Sequence, residues 1–396
     1  MVCYGALAAA AVAAASAPLA AAQVWGTQGS WQLVLPAPSS TPPLMALPHA
    51  AFVPGTMLVM GNATTGPSQD FDLYRFDIAT NTWGAPFDFV PGSPAPIAPF
   101  LFTFGGLAVI VDEAAPNVMN MIDQQAGPGT KWTPISLANA PANRIGNRFL
   151  VWGSQLLLFA GFDTVKLQHV LEAISRCARR PPPSSPHKCF QSLHPRRQTN
   201  DLYVLDMSTA VLNPSIGVAW QLVSPPADPV QNVVLNYPPP RTGYSWTPFD
   251  IGSLMYGGLS YDQPNNPPLP AGTDVFQLCL FRDPRSPPDP NCHWHRNLWF
   301  LLPGYTTTGN TVPPAAWIMA TATGAFGGPV PDGRVLHTSG RMGSQLYVFG
   351  GITERGPTNE LWAFDLFSQN WAPCSSSGGM QPPMNAGWGV GVVTGT

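Results

Sequence analysis

One order of residues recurs along this chain, and it limits the fold more than any other feature. In "GRVLHTSGRMGSQLYVFGGITERGPTNELWAFDLFSQNW", residues 333–371, an alternating apolar run leads to a double glycine. An acid-Leu-aromatic strand follows, then Asp365, and six residues later Trp371. The stretch "GTMLVMGNATTGPSQDFDLYRFDIATNTW" repeats this grammar, with Asp77 and Trp83 at the same separation. Three looser copies end at Trp132, Trp220 and Trp317. Consecutive unit-ending tryptophans lie 49, 88, 97 and 54 residues apart, so the unit is about fifty residues long, with long insertions in two copies.

Each recurring residue type has a physical reason. The alternating run reads as a buried strand, and the glycines allow a positive φ or a close backbone approach. The late tryptophan opens an outer strand and is large enough to lie against a neighbouring sheet. The units resemble Kelch repeats, whose hallmarks are a Gly-Gly pair, a following aromatic residue and a Trp. The match is strong for 333–371, good for 61–83 and 156–220, and weak for 107–132, where Asp112-Glu113 replaces the glycines.

The resemblance implies an all-β fold, a Kelch-type β-propeller of about six four-stranded blades. Five units are recognisable. A sixth, incomplete blade is expected from the two ends, with Trp31 to Leu35 joining Trp388 to Val393. A blade short of a strand would leave an unpaired edge.

Composition excludes several classes. With 10% charged residues, 38 Gly and 47 Pro, the chain is poor in helix-solvating charge and rich in turns. A net charge of −3 argues against a general nucleic-acid partner. Residues 1–22 read as a signal peptide ending in an Ala-x-Ala pattern, which predicts secretion of residues 23–396 as one domain. No segment is expected to span a membrane. Two close cysteine pairs, Cys177 with Cys189 and Cys279 with Cys292, suit local disulfides in an exported protein. A metal set of Cys279, Cys292, His293 and His295 is the alternative, but it lacks a tight Cys-x-x-Cys element. Asn62 heads a sequon and is the glycosylation candidate.

The two insertions differ in character. Residues 164–199 hold seven of the eighteen Lys and Arg against one acid, Glu172, leaving the rest of the chain at net −9. Such a block reads either as a solvated loop or as a dock for an acidic partner. Residues 260–297 are Pro- and Asn-rich and enclose the second cysteine pair.

Arg144, Arg241 and Arg334 occupy matching places just before an inner strand, with Tyr244, Trp246 and His337 close behind. At one mouth these residues would suit an anionic ligand through forked hydrogen bonds. The competing role is structural, with each guanidinium tied to backbone carbonyls. No complete catalytic motif is visible and no cofactor is expected. The reading is a non-enzymatic module that binds a protein or glycan, an anionic one included, through the channel rim and inter-strand loops. The resemblance also admits a secreted carbohydrate-active or copper-radical enzyme on this scaffold, or an intracellular adaptor if the leader is not a signal. Sequence alone does not fix the oligomeric state.

Overall fold

A computed structural model of the chain describes residues 3–4, 28–31, 45–53, 55–63, 71–84, 99–112, 116–123, 133–163, 197–208, 218–223, 237–261, 279, 291–302, 316–320, 323–324 and 329–376. Five antiparallel sheets, each with four principal strands, follow one another along it. Sheet I comprises Met45–Val53, Thr56–Ala63, Phe71–Asp77 and Thr82–Trp83. Sheet II comprises Pro99–Phe104, Leu107–Asp112, Val118–Asp123 and Thr133–Ala138. Sheet III comprises Arg148–Trp152, Gln155–Asp163, Arg197–Asp206 and Gln221–Val223. Sheet IV comprises Ser245–Phe249, Gly252–Tyr256, Leu298–Leu302 and Ala316–Ala320. Sheet V comprises Thr338–Met342, Gln345–Phe349, Leu361–Asp365 and Asn370–Pro373.

The core lies between consecutive sheets, and the two-residue period of the strands explains how it is filled. In the second strand of sheet II, Ala108 and Ile110 pack into a cluster shared with sheet I, while Val109 and Val111 join a cluster shared with sheet III. The second strand of sheet III divides in the same way: Leu156 and Leu158 face sheet II, and Leu157 and Phe159 face sheet IV. Sheets IV and V close on each other through Tyr256, Leu346, Val348 and Trp371. Because both faces of these strands are covered, the weak copy at 107–132 forms a full sheet without its double glycine.

Three of the late tryptophans, Trp220, Trp317 and Trp371, lie at the start of the fourth strand and reach the preceding sheet, whereas Trp83 packs on Tyr74 and Phe76 of its own sheet and Trp132 lies outside the described residues. Trp371 packs at a tilt against Tyr256 of sheet IV with ring centres 5.0 Å apart, Trp317 likewise against Phe159 of sheet III at 5.0 Å, and the Trp220 indole N–H donates to the Pro116 carbonyl at 2.9 Å. Short parallel bridges repeat beside them. Leu137–Ala138 pair with Val218–Ala219, and Thr323–Gly324 pair with Asn370–Trp371. At the N-terminal side, Gln28–Gly29 pair in parallel with Ser375–Ser376, and Ser30–Trp31 pair antiparallel with Tyr4 and Cys3. The expected partner segment 388–393 lies outside the described residues.

Both insertion boundaries move inward. The third strand of sheet III starts at Arg197 and pairs back to Asp163, so that insertion spans 164–196 rather than 164–199. The second is no free excursion at its base, because Leu259–Tyr261 and Cys292–Trp294 form an antiparallel pair. Both insertions join a second strand to a third. In an antiparallel sheet those connections share one end with the segments that enter each first strand, which here carry Arg144, Arg241 and Arg334.

Candidate functional site

The three arginines are built into the sheets. Their exposures are 2%, 0% and 0%, and they repeat one hydrogen-bond pattern. Each Nε donates to the carbonyl two residues back: Ala142 at 3.2 Å, Pro239 at 3.3 Å and Asp332 at 3.2 Å. Each Nη1 donates to a carbonyl sixteen residues on: Ala160 at 3.2 Å, Gly257 at 2.9 Å and Gly350 at 3.1 Å. Each also meets a side chain on or just before the third strand, namely Asp201 within it, or Asn297 or Glu360 immediately ahead of it. The acceptors at Ala160, Gly257 and Gly350 have φ of 56°, 74° and 66°, so each guanidinium closes a left-handed corner. This is the geometry of the structural role.

The other candidates are also interior. The Tyr244 hydroxyl donates to the Phe159 carbonyl at 2.5 Å, and the Trp246 indole N–H donates to Ser253 Oγ at 2.8 Å. His337 Nε2 lies 2.8 Å from Ser245 Oγ, with its ring edge-on to Tyr256. Burial and the nearby Arg334 and Arg148 hold the imidazole well below its usual pKa, so it is neutral. Asn62 sits in the second strand of sheet I, opposite Ala46 and Phe71. Cys279 and Cys292 form a disulfide with Cα atoms 5.9 Å apart, which takes both sulfurs out of the metal set considered from sequence. Cys177 and Cys189 lie outside the described residues. Among those residues no three His, Cys, Asp or Glu side chains cluster as a metal site, and no helix is long and apolar enough to cross a membrane.

Among the described residues a cleft of about 540 Å³ opens to solvent between the segments that flank sheets IV and V. One wall is the stapled pair of the second insertion, with Ser260, Cys292, His293, Trp294, His295 and Arg296. The other comes from Asp332, Gly333 and the turn Glu354-Arg355 of a small hairpin formed by Ile352–Thr353 and Gly356–Pro357. The walls meet closely, since a Cβ on Gly333 would stand 2.7 Å from the Trp294 carbonyl oxygen. Asp332 joins them electrostatically, receiving Arg355 at 2.6 Å and Arg296 at 3.4 Å. At the floor, His295 Nε2 lies 2.8 Å from Ser260 Oγ, and burial with the Arg241 charge pushes its pKa down to about 2.

Reading the sequence missed Arg296, Asp332, Glu354 and Arg355. A signal for them existed. Glu354 and Arg355 follow the double glycine Gly350-Gly351 at the place where sheet IV carries its insertion after Gly257-Gly258, and Arg296 ends that insertion. No curated protein matches the chain. Residues 333–378, which include Gly333, Glu354 and Arg355 of the cleft and all of sheet V, match the family model described as the Kelch motif, and the chain therefore carries a Kelch repeat.

Proposed function

We propose that the chain is a secreted, non-enzymatic recognition module that binds a protein partner at the end of the sheets bearing both insertions. The observation that carries this reading is the cleft between sheets IV and V. It is polar and open, and it is walled by an insertion of one unit and the equivalent turn of the next. The turns between first and second strands, such as Gly343-Ser344, lie at the opposite end. The disulfide in the cleft wall fits an oxidising compartment, and in this reading cleavage of the leader 1–22 removes the short pairing of Cys3–Tyr4 with Ser30–Trp31.

The scaffold in this proposal is a ring of about six blades. The pairing of Gln28–Gly29 with Ser375–Ser376 repeats, beyond sheet V, the parallel bridge found between sheets II and III and between sheets IV and V. It supports a last blade whose outer strand comes from the N-terminal segment.

Peptide and glycan arrays probed with the purified chain test the binding end. Capture of a protein-derived ligand should be lost in Arg355→Gln and kept in Phe367→Ser, whose side chain is 85% exposed on a turn at the other end. The reverse pattern, or capture of glycans alone, overturns the reading.

A further inference from the structure

The fourth strand of each sheet forms an edge, and an edge presents backbone N–H and C=O groups to any strand that approaches. Natural proteins blunt such edges by keeping them short, by placing proline or charge on them, or by covering them. Four of the five sheets use one of these devices. The fourth strand of sheet I is the two-residue Thr82–Trp83, and that of sheet III is the three-residue Gln221–Val223. Sheet II has Pro134 in its fourth strand and Val218–Ala219 paired along its outer side. Sheet V has Pro373 and is covered by Thr323–Gly324.

Sheet IV is the exception. Its fourth strand, Ala316–Ala320, pairs along Leu298–Leu302, and among the described residues no strand pairs with its other side. The segment "AWIMA" has no proline, glycine or charge, and Ile318 and Met319 are 48% and 47% exposed. Trp317, buried against Phe159 of sheet III, anchors the strand. An anchored, apolar, uncharged edge is a template for another strand. The order of residues says which one. Outward from Ile318 the strand gives a large side chain and then alanine in both directions: Met319 and Ala320 one way, Trp317 and Ala316 the other. Laid antiparallel on a second copy about a two-fold axis through Ile318, Ala316 meets Ala320, Trp317 meets Met319 and Ile318 meets its own mate. Cross-strand partners of matched size, with no like charges opposed, are those that stabilise a sheet.

We propose that the chain forms a two-fold dimer by antiparallel pairing of Ala316–Ala320 with the same strand of a second copy, so that sheet IV runs continuously from one subunit into the other. The inference goes beyond the recognition reading and uses a different surface, since none of these residues lines the cleft. A five-residue edge is smaller than the contact of a permanent dimer, so the association is of the weak, concentration-dependent class. The dimer carries two insertion-bearing ends, which raises avidity for a repeated ligand.

Sedimentation velocity of the purified chain from about 1 to 100 μM, a span that brackets micromolar affinity, tests this. The wild type should show a monomer–dimer equilibrium. Ile318→Lys, which sets two ammonium groups face to face on the axis, should weaken it at least about tenfold. Phe367→Lys, on an exposed turn of sheet V, should leave it unchanged. A second measurement does not depend on the lysine variant. Under mild oxidation Ile318→Cys should give a disulfide-linked dimer whose cross-link maps to position 318 in both chains, whereas Leu222→Cys, 54% exposed on the outer strand of sheet III, should not link to itself. A wild type that stays monomeric across the range overturns the inference. So does a dimer untouched by a folded Ile318→Lys variant, or a species larger than a dimer, which a closed two-fold pairing forbids. If circular dichroism shows that Ile318→Lys fails to fold, the mapped cross-link decides, and its absence overturns the inference.

Discussion

At single residues, the double-glycine corners separate two costs that sequence merges. Gly257 and Ala160 occupy equivalent corners with φ of 74° and 56°, so a Cβ is tolerable there on backbone grounds alone. What differs is the neighbour. A Cβ on Gly257 would stand 2.6 Å from the Arg334 carbonyl oxygen and 2.8 Å from the His337 ring. Gly257→Ala should therefore cost about 3 kcal/mol or more, since backbone must move. Gly55→Ala, at φ 78° in open space, should cost only about 1 kcal/mol. Urea midpoints of the two variants decide the point, and equal losses would mean that φ alone sets the price. The arginines give a second contrast. Arg334→Gln leaves the Asp332 and Gly350 carbonyls without their donor and should cost about 3 kcal/mol. Glu360→Gln, at a 53% exposed carboxylate, should cost under about 1 kcal/mol. A stable Arg334→Gln variant would return that side chain to the ligand-binding candidates.

At the level of elements, the cleft hairpin depends on its staple. Tyr261 pairs with Cys292, and the bridge to Cys279 closes a 13-residue separation. In the chain-entropy account such a loop contributes roughly 3 kcal/mol. Replacing both cysteines by serine should lower the thermal midpoint and speed amide exchange in Leu259–Tyr261 and Cys292–Trp294 while leaving Leu346 and Val348 protected. Uniform loss of protection would show that the hairpin is integral to the core. Elements of this kind mark the limit of what sequence conveys. The strand-turn-strand order and the tryptophans at Trp83, Trp220, Trp317 and Trp371 were legible, because period-two burial and one large aromatic per unit leave a signature at fixed spacing. Sheet II was faint, since its second strand is specified by Ala108, Val109, Ile110 and Val111 facing two clusters rather than by glycine. The arginines were found, but their spacing of sixteen residues to the corner carbonyl acquires meaning only when the antiparallel pairing folds it back. The cleft was hidden because Arg296 and Asp332 are 36 positions apart and meet only across two sheets.

For the molecule as a whole, acid is the condition the fold is least built to meet. Two imidazoles are buried and a third is half-buried: His49 in sheet I against Phe100, His337 between sheets IV and V, and His295 lining the cleft. Desolvation is the first cause of depression in each, bringing His49 to about 3 and His295 to about 2, with His337 also well below its usual value. Neighbouring guanidiniums add to it: Arg148 beside His49, Arg241 beside His295, and Arg334 with Arg148 beside His337. A depressed folded-state pKa means that the unfolded chain binds the proton first. Stability from these groups is complete above about pH 6.5 and falls as pH drops toward the folded values, by about 1.4 kcal/mol per unit for each histidine. His49, whose folded value is about 3, alone gives up about 2 kcal/mol by pH 5, a large share of the stability of an ordinary domain, and His295 and His337 add to the loss. The carboxylates of Asp250 and Glu360, whose pKa values are lowered chiefly by arginine for Asp250 and by Trp362 and Arg334 against burial for Glu360, add their own loss only at lower pH. Circular dichroism against pH should show cooperative unfolding between about pH 5 and 4, ahead of the carboxylate range. His295→Gln, which keeps a polar partner for Ser260 without a titratable ring, should move that midpoint downward. A midpoint below pH 3, unmoved by the substitution, would mean that the imidazoles take up protons in place and that the interior around sheets IV and V is wetter than its packing implies.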